Sequence, residues 1–367
     1  MSEGVAAGGR PMRIVLGLGT SAGGVGRHVR MLCEGLSGRG HQVVVAGPRA
    51  TEETFGFAGA GARFVEVPVS DRPHPARDVR AIARLRRVAA KADVVHAHGL
   101  RAAALAALAL AASRTRLVVT LHNAPTSGGM IGGVFAGLEW IVARRADRVL
   151  VVSADLGERM RDRGAGDVAP AVVPAPALRP ASRSPQEVRG ELDAGLRPIL
   201  LTVARLARQK GLETLLDAAA GPYDEDPLFV IAGGGPLEQD LRARIDREKL
   251  PVRLLGHRDD VPDLLQAADA LVVSSRWEGQ PLIVQEALRA GRPIIAAAVG
   301  GIPEMVGDAA LLVPAEDAAA LRDGVRRLLA DSALAARLAQ ASARRGGALP
   351  GENEAVEAAL RAYALPG

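Results

Sequence analysis

The chain has 367 residues, 48% hydrophobic and 24% charged, with a net charge of +5, nine aromatic side chains and one cysteine. This length favours two domains with separate cores, and the composition excludes a disordered chain. Cys33 alone excludes an intrachain disulfide and a cysteine-based metal cluster, in keeping with a reducing cytoplasm, and so few aromatics argue against a nucleic-acid partner.

Residues 1–12 lack the apolar core of a secretory signal, and the longest apolar stretch, 102–112, is far below the roughly 18–20 residues of a membrane span. The run 13–19 reads as a strand that breaks into glycines, where Gly17-x-Gly19-x-x-Ala22 matches the strand–turn–helix fingerprint of dinucleotide sites. A helix over 24–40 follows, then strands at 41–47, 63–69, 92–98, 116–122 and 147–153 with helical stretches between several of them. The proline-rich tract 169–185 interrupts this alternation and reads as a linker.

The alternation restarts with strands at 198–206, 228–235, 252–256, 270–275, 292–298 and 310–315, and with helices at 211–220, 237–249, 260–268 and 282–290. The predicted architecture is α/β: two Rossmann-like parallel-sheet domains facing a cleft, with ligand at the carboxyl ends of the strands. The expected division is 1–175, a linker over 176–190, and 191–367, with the last helix returning to the first domain.

Arg205 and Lys210 follow the strand 198–206 directly, five residues apart, and suit a diphosphate: a planar fork beside a compact point charge. Only three of the 46 basic residues are lysines, so a lysine in this position is informative. Glu278 and Glu286 stand eight residues apart, one in a turn after the strand 270–275 and one early in a helix. Each carboxylate can accept from paired hydroxyls of a sugar or ribose. Gly23, Gly24 and Gly26 would let backbone approach a phosphate at a helix N-terminus, and Gly234, Gly235 and Pro236 would line a nucleotide pocket.

His122 ends a strand on the cleft side. His96 and His98 are expected to face opposite sides of their strand, which argues against a paired metal site there. Asp224-x-Asp226 superficially resembles a metal-binding pair but sits in a polar turn, and no other acidic pair looks like a magnesium cage. Arg80, Arg84, Arg87 and Lys91 share a helical face, which is either simply solvated or a docking surface for anionic headgroups.

The segments 19–29, 93–99, 119–123, 203–211, 231–241, 278–295 and 299–306 together resemble the family 4 glycosyltransferases, the retaining group with the GT-B fold. The resemblance covers almost the whole chain. It implies that Arg205 and Lys210 hold the donor diphosphate, Glu278 contacts the transferred sugar, Glu286 the ribose hydroxyls, and His122 the donor sugar. It also implies a UDP- or GDP-sugar donor, a hydroxyl acceptor (lipid-linked ones included), no cofactor and no metal. The enzyme would work in the cytoplasm, with peripheral contact at an anionic inner membrane face among the options. The chain departs from the family with Gln280 where phenylalanine is common and Pro281 where a second glycine is common, which removes one backbone N–H. Rival readings are a GT-B-fold epimerase or phosphorylase, a non-catalytic sugar-nucleotide binder, and an NADP enzyme using Arg49 for a 2′-phosphate.

Overall fold

The computed structural model describes residues 10–21, 23–70, 73–124 and 129–364. The chain forms two compact units that divide at Val173/Pro174 and again at Gly351/Glu352, so the C-terminal segment belongs with the first.

Unit 1 begins with β1 (Arg13–Leu18), α1 (Gly24–Gly38), β2 (Gln42–Gly47), α2 (Arg49–Phe55) and β3 (Arg63–Glu66). It continues through α3 (Pro75–Ala89), β4 (Val94–His98), α4 (Leu100–Ala109) and β5 (Arg116–Leu121). Then come α5 (Gly129–Arg145), β6 (Arg148–Val151), α6 (Ala154–Asp162) and β7 (Val168–Pro170). The strands form a parallel sheet in the order β3-β2-β1-β4-β5-β6-β7. Runs such as Ile14–Leu16 and Val43–Val45 are buried because helices cover both faces, which explains their unbroken apolar character. Helix α4 packs between α3 and α5.

Unit 2 opens with α7 (Pro185–Glu191), β8 (Ile199–Val203), α8 (Leu212–Ala219), β9 (Leu228–Ala232), α9 (Glu238–Glu248) and β10 (Val252–Gly256). The chain then reverses across the sheet through α10 (Val261–Ala267), β11 (Ala270–Val273), α11 (Leu282–Arg289), β12 (Ile294–Ala297), α12 (Ile302–Val306) and β13 (Ala310–Val313). Helices α13 (Ala318–Ala330) and α14 (Ser332–Ala348) complete it, and the parallel sheet runs β10-β9-β8-β11-β12-β13. Helix α15 (Glu352–Tyr363) packs on α1 in unit 1. A Cβ on Gly35 would come within 2.3 Å of Val356, so glycine is what lets these two helices approach.

The tract read as a linker differs from its description in two places. Residues 168–170 add an edge strand, with proline at its end where no ladder N–H is required. Residues 185–191 form α7, because Ser184 and Glu187 build a capping box and Pro185 sits in the first turn. Neither signal depends on apolar periodicity, which is why the alternation pattern passed over both.

Candidate active site

In each sheet the strand order reverses once, between β1 and β4 in unit 1 and between β8 and β11 in unit 2. Ligands of open parallel sheets bind at the carboxyl ends of the strands flanking such a reversal.

In unit 2 these strand ends carry Lys210 and Glu278. After β8 the chain makes one 3₁₀ turn, Arg208–Lys210, and reverses at Gly211, whose φ is +58°. A Cβ there would lie 2.1 Å from Ser274 O, so only glycine lets this loop sit against the end of β11. Ser274 Oγ donates to Lys210 O at 3.0 Å, and Gln209 Nε2 donates to Trp277 O at 3.0 Å. These bonds tie the two loops together and place Lys210 Nζ 2.6 Å from Glu278 Oε1. Ser275 Oγ donates to the same oxygen at 2.6 Å. Among the described residues Glu278 Oε2 takes no hydrogen bond, and Lys210 uses one of its three donors on the pair. Glu278 itself is 7% exposed, so the carboxylate is held rather than solvated.

The glycine run after β9 has a packing origin. Gly233 has φ +141° and a Cβ there would meet Ala204 O at 1.9 Å, while one on Gly235 would meet Leu206 O at 2.4 Å. Both glycines therefore let the β9 loop pack on residues 204–206, and Leu206 N donates to Gly234 O at 3.0 Å. Arg205, in the middle of that loop, is exposed, as is Pro236. Gly234 has no neighbour closer than 3.9 Å to an added Cβ, which makes it the member of the run with room beside it. Glu286 lies in the second turn of α11, half-buried. Pro281 is the N-cap of α11, a position where the missing N–H breaks no helical hydrogen bond.

In unit 1 a pocket of about 300 Å³ opens at the ends of β1, β4 and β5. Thr20, Ser21, His98, Arg101, His122 and Phe135 are among its lining residues. Gly23 is the N-cap of α1 and borders open space, but Gly26 does not: a Cβ on it would lie 2.1 Å from the Phe55 ring. Gly26 is thus required by the packing of α1 on α2. Its N–H donates to Ser21 Oγ at 3.2 Å. Gly24 is the first residue of α1, and Ala22, the last position of the dinucleotide fingerprint, lies outside the described residues.

The strand histidines require a correction. His96 and His98 do not face opposite sides; their ring centroids are 4.2 Å apart. Residues two apart on a strand share a face, because the side-chain period is two. His96 is saturated, with Tyr363 OH 2.8 Å from Nδ1 and Thr120 Oγ1 2.7 Å from Nε2. His98 Nδ1 lies 3.2 Å from His122 Nε2, and the His28 ring packs edge-on against both. Burial pushes all four imidazoles down, His28 to about 4 and His96 to about 3, with His98 and His122 well below the ordinary 6.5. His28 and Tyr363 were not singled out from the sequence. A lone histidine on an amphipathic helix and a tyrosine 267 residues from its partner carry no local signal.

Asp226 is a loop residue paired with Arg197 at 3.1 Å, its side chain 76% exposed, as a polar turn requires. Among the described residues no group of three or more histidine, cysteine or acidic side chains is placed to hold a metal ion. No helix among them is long and apolar enough to cross a membrane.

Two Rossmann-like units, each with polar side chains gathered at its sheet reversal, define a GT-B type protein. Family models agree in tandem: a glycosyl transferase 4-like domain matches residues 23–176, and the glycosyl transferases group 1 model matches 186–345. The chain belongs to the family 4-type glycosyltransferases of GT-B fold. The phosphatidyl-myo-inositol mannosyltransferase of Mycobacterium leprae is 28% identical over 88% of this chain and 87% of its own length. An alpha-D-kanosaminyltransferase of Streptomyces kanamyceticus is 32% identical, and that match spans 43% of each protein. Among solved structures, Anabaena Alr3699/HepE in complex with UDP superposes with a TM-score of 0.82 at 21% identity, covering 95% of this chain and 100% of that one.

Proposed function

We propose that this glycosyltransferase moves a sugar from a nucleoside diphosphate to an acceptor hydroxyl with retention at the anomeric carbon. The observation that carries this reading is the Lys210–Glu278 pair, 2.6 Å apart at the sheet reversal of unit 2. The ammonium has two donors left for oxygens of the departing diphosphate, and Glu278 Oε2 is available to a sugar hydroxyl. Arg205 adds a second cation, Glu286 takes the ribose hydroxyls, and Gly234 leaves space for the nucleotide. The C1–O bond to the diphosphate breaks as the acceptor oxygen bonds to C1 from the same face, and the acceptor proton passes to a phosphate oxygen. Lys210 and Arg205 then supply the charge stabilisation, and no cofactor or metal is needed. Uridine as the base is supported by the Anabaena neighbour, solved with UDP and with UDP-glucose.

A panel of UDP- and GDP-sugars, incubated with and without candidate hydroxyl acceptors, tests this. We expect slow donor hydrolysis without acceptor, and a product of unchanged anomeric configuration with it. Donor epimerised in the absence of acceptor, or turnover that requires inorganic phosphate, would replace transfer by the epimerase or phosphorylase reading.

We also propose that unit 1 works against an anionic bilayer, at the cytoplasmic face, on a lipid-linked acceptor. Four large apolar side chains are exposed on the α3–α5 layer: Val79 (67%), Leu108 (45%), Val134 (45%) and Trp140 (54%). Arg80, Arg84, Arg87 and Lys91 are exposed on or just after α3. The similarity to a mycobacterial phosphatidyl-myo-inositol mannosyltransferase supports a lipid acceptor. Each cation near an anionic surface contributes about 1 kcal/mol, so an Arg80→Gln, Arg84→Gln, Arg87→Gln triple variant should partition onto phosphatidylglycerol vesicles roughly 100-fold less well than wild type. Equal sedimentation of both proteins with those vesicles would sink the docking surface.

A further inference from the structure

The unit 1 pocket is lined by two histidines in mutual contact, His98 and His122, 2% and 9% exposed. His98 Nδ1 and His122 Nε2 are 3.2 Å apart. Each ring, kept neutral by burial, carries a single ring proton at pH 7. A hydrogen bond between two neutral imidazoles needs one proton between them, so the tautomers of the two rings are coupled.

Two arrangements satisfy the contact. If His122 donates from Nε2, the proton of His98 moves to its own Nε2, and His122 Nδ1 is left a bare acceptor. If His98 donates from Nδ1, its Nε2 is the bare nitrogen and His122 carries its proton on Nδ1. The environment of His98 Nε2 separates them, because that atom is buried and has no hydrogen-bond partner among the described residues. The first arrangement would bury an orphaned N–H donor there, whereas the second buries only an unused lone pair, and orphaned donors are the rarer of the two in folded proteins. His96 cannot relieve it, since both its ring nitrogens are taken by Tyr363 and Thr120.

We infer that His98 is a positioning residue that holds His122 as the Nδ1–H tautomer, so that His122 presents a hydrogen-bond donor to a ligand in this pocket. The partner must then offer an oxygen lone pair, as a sugar hydroxyl or ring oxygen does. Among the described residues His122 Nδ1 makes no hydrogen bond, the contact with His98 being through Nε2. In this tautomer the free ring atom of His122 already holds a proton, so His122 orients the sugar and does not act as a general base. The inference rests on the reading of His122 as a donor-sugar contact and extends it to a protonation state.

The full-length protein, labelled with ¹⁵N-histidine, shows each tautomer directly in long-range ¹H–¹⁵N correlation spectra at pH 7.5. The wild-type His122 signal is expected with Nδ1 protonated and Nε2 bare. His98→Leu should release that preference and lower donor turnover about 10-fold, the worth of one hydrogen bond of about 1.4 kcal/mol. His98→Asn, whose amide can still donate to His122 Nε2, should restore the tautomer and most of the turnover. A wild-type His122 protonated on Nε2, or a tautomer unmoved in His98→Leu, overturns the positioning role; the wild-type spectrum decides it even if the leucine variant does not fold. A shifted tautomer with unchanged turnover overturns the sugar contact of His122 instead. Glycosyl transfer itself is judged separately, by Lys210.

Discussion

Lys210→Ala is expected to lower donor turnover by roughly 10²–10³-fold, the usual effect of losing one fixed electrostatic stabiliser of a developing negative charge. The loss has two parts. The diphosphate loses a point charge at the end of β8, and Glu278 loses the ammonium 2.6 Å from its Oε1 while still accepting from Ser275. An unneutralised carboxylate, 7% exposed, then faces the arriving anion and repels it. Nucleoside diphosphate affinity should therefore fall together with turnover. Glu278→Gln separates the effects: it removes the repulsion and frees Lys210, so nucleotide binding should be kept or improved while turnover falls. Single-turnover rates and calorimetric titration of UDP and GDP read these quantities apart. Arg205→Ala should be milder, because its exposed guanidinium acts through more water. Wild-type turnover in Lys210→Ala would remove the reading of this site as the catalytic one.

The second large effect is a loss of unit 1 stability in mild acid. Four buried imidazoles are neutral in the folded unit, with His28 near 4 and His96 near 3, whereas an unfolded histidine titrates near 6.5. The folded pKa values are depressed, so the unfolded chain binds more protons, and stability falls as pH drops from about 6.5 to about 4. At pH 5 each ring that stays neutral costs about 2 kcal/mol. Four such rings approach the whole stability of an ordinary domain, about 5–15 kcal/mol. Unit 2 contains one histidine, His257, whose side chain is 77% exposed, and so holds no buried imidazole. Calorimetric scans from pH 7.5 to 5 should show one transition moving down steeply and another moving little. His28→Leu should flatten the steep transition by about one proton, since among the described residues His28 Nδ1 has no hydrogen bond to lose. Two transitions that stay parallel down to pH 5 would contradict the cluster's neutral state.

Much of the fold was legible because parallel strands buried on both faces read as continuous apolar runs. Segments such as Val43–Val45 and Leu228–Ala232 are recognisable without any partner. Helices α8 to α11 were legible from their apolar spacing, within one or two residues. The edge strand 168–170 and α7 were not, since a three-residue strand and a capped turn after prolines lack a period. At the site, Lys210 and Glu278 were recognisable from residue type and position after strands, and from resemblance. Their contact was not, because it depends on β8 and β11 being neighbours, 68 residues apart in the chain.

The glycines show the same division. Sequence alone marked 23–26 and 233–235 as backbone without side chains, but it could not say what approaches them. Phe55 fills the space at Gly26, Ala204 and Leu206 fill it at Gly233 and Gly235, and Gly23 and Gly234 border room for a ligand. The sequence by itself determined two α/β units, their strand order of appearance and the residue types at the strand ends. Tertiary structure alone decided which of those residues touch and which histidines lose their water. Apolar periodicity is written along the chain, whereas hydrogen bonding and desolvation arise only where distant segments meet.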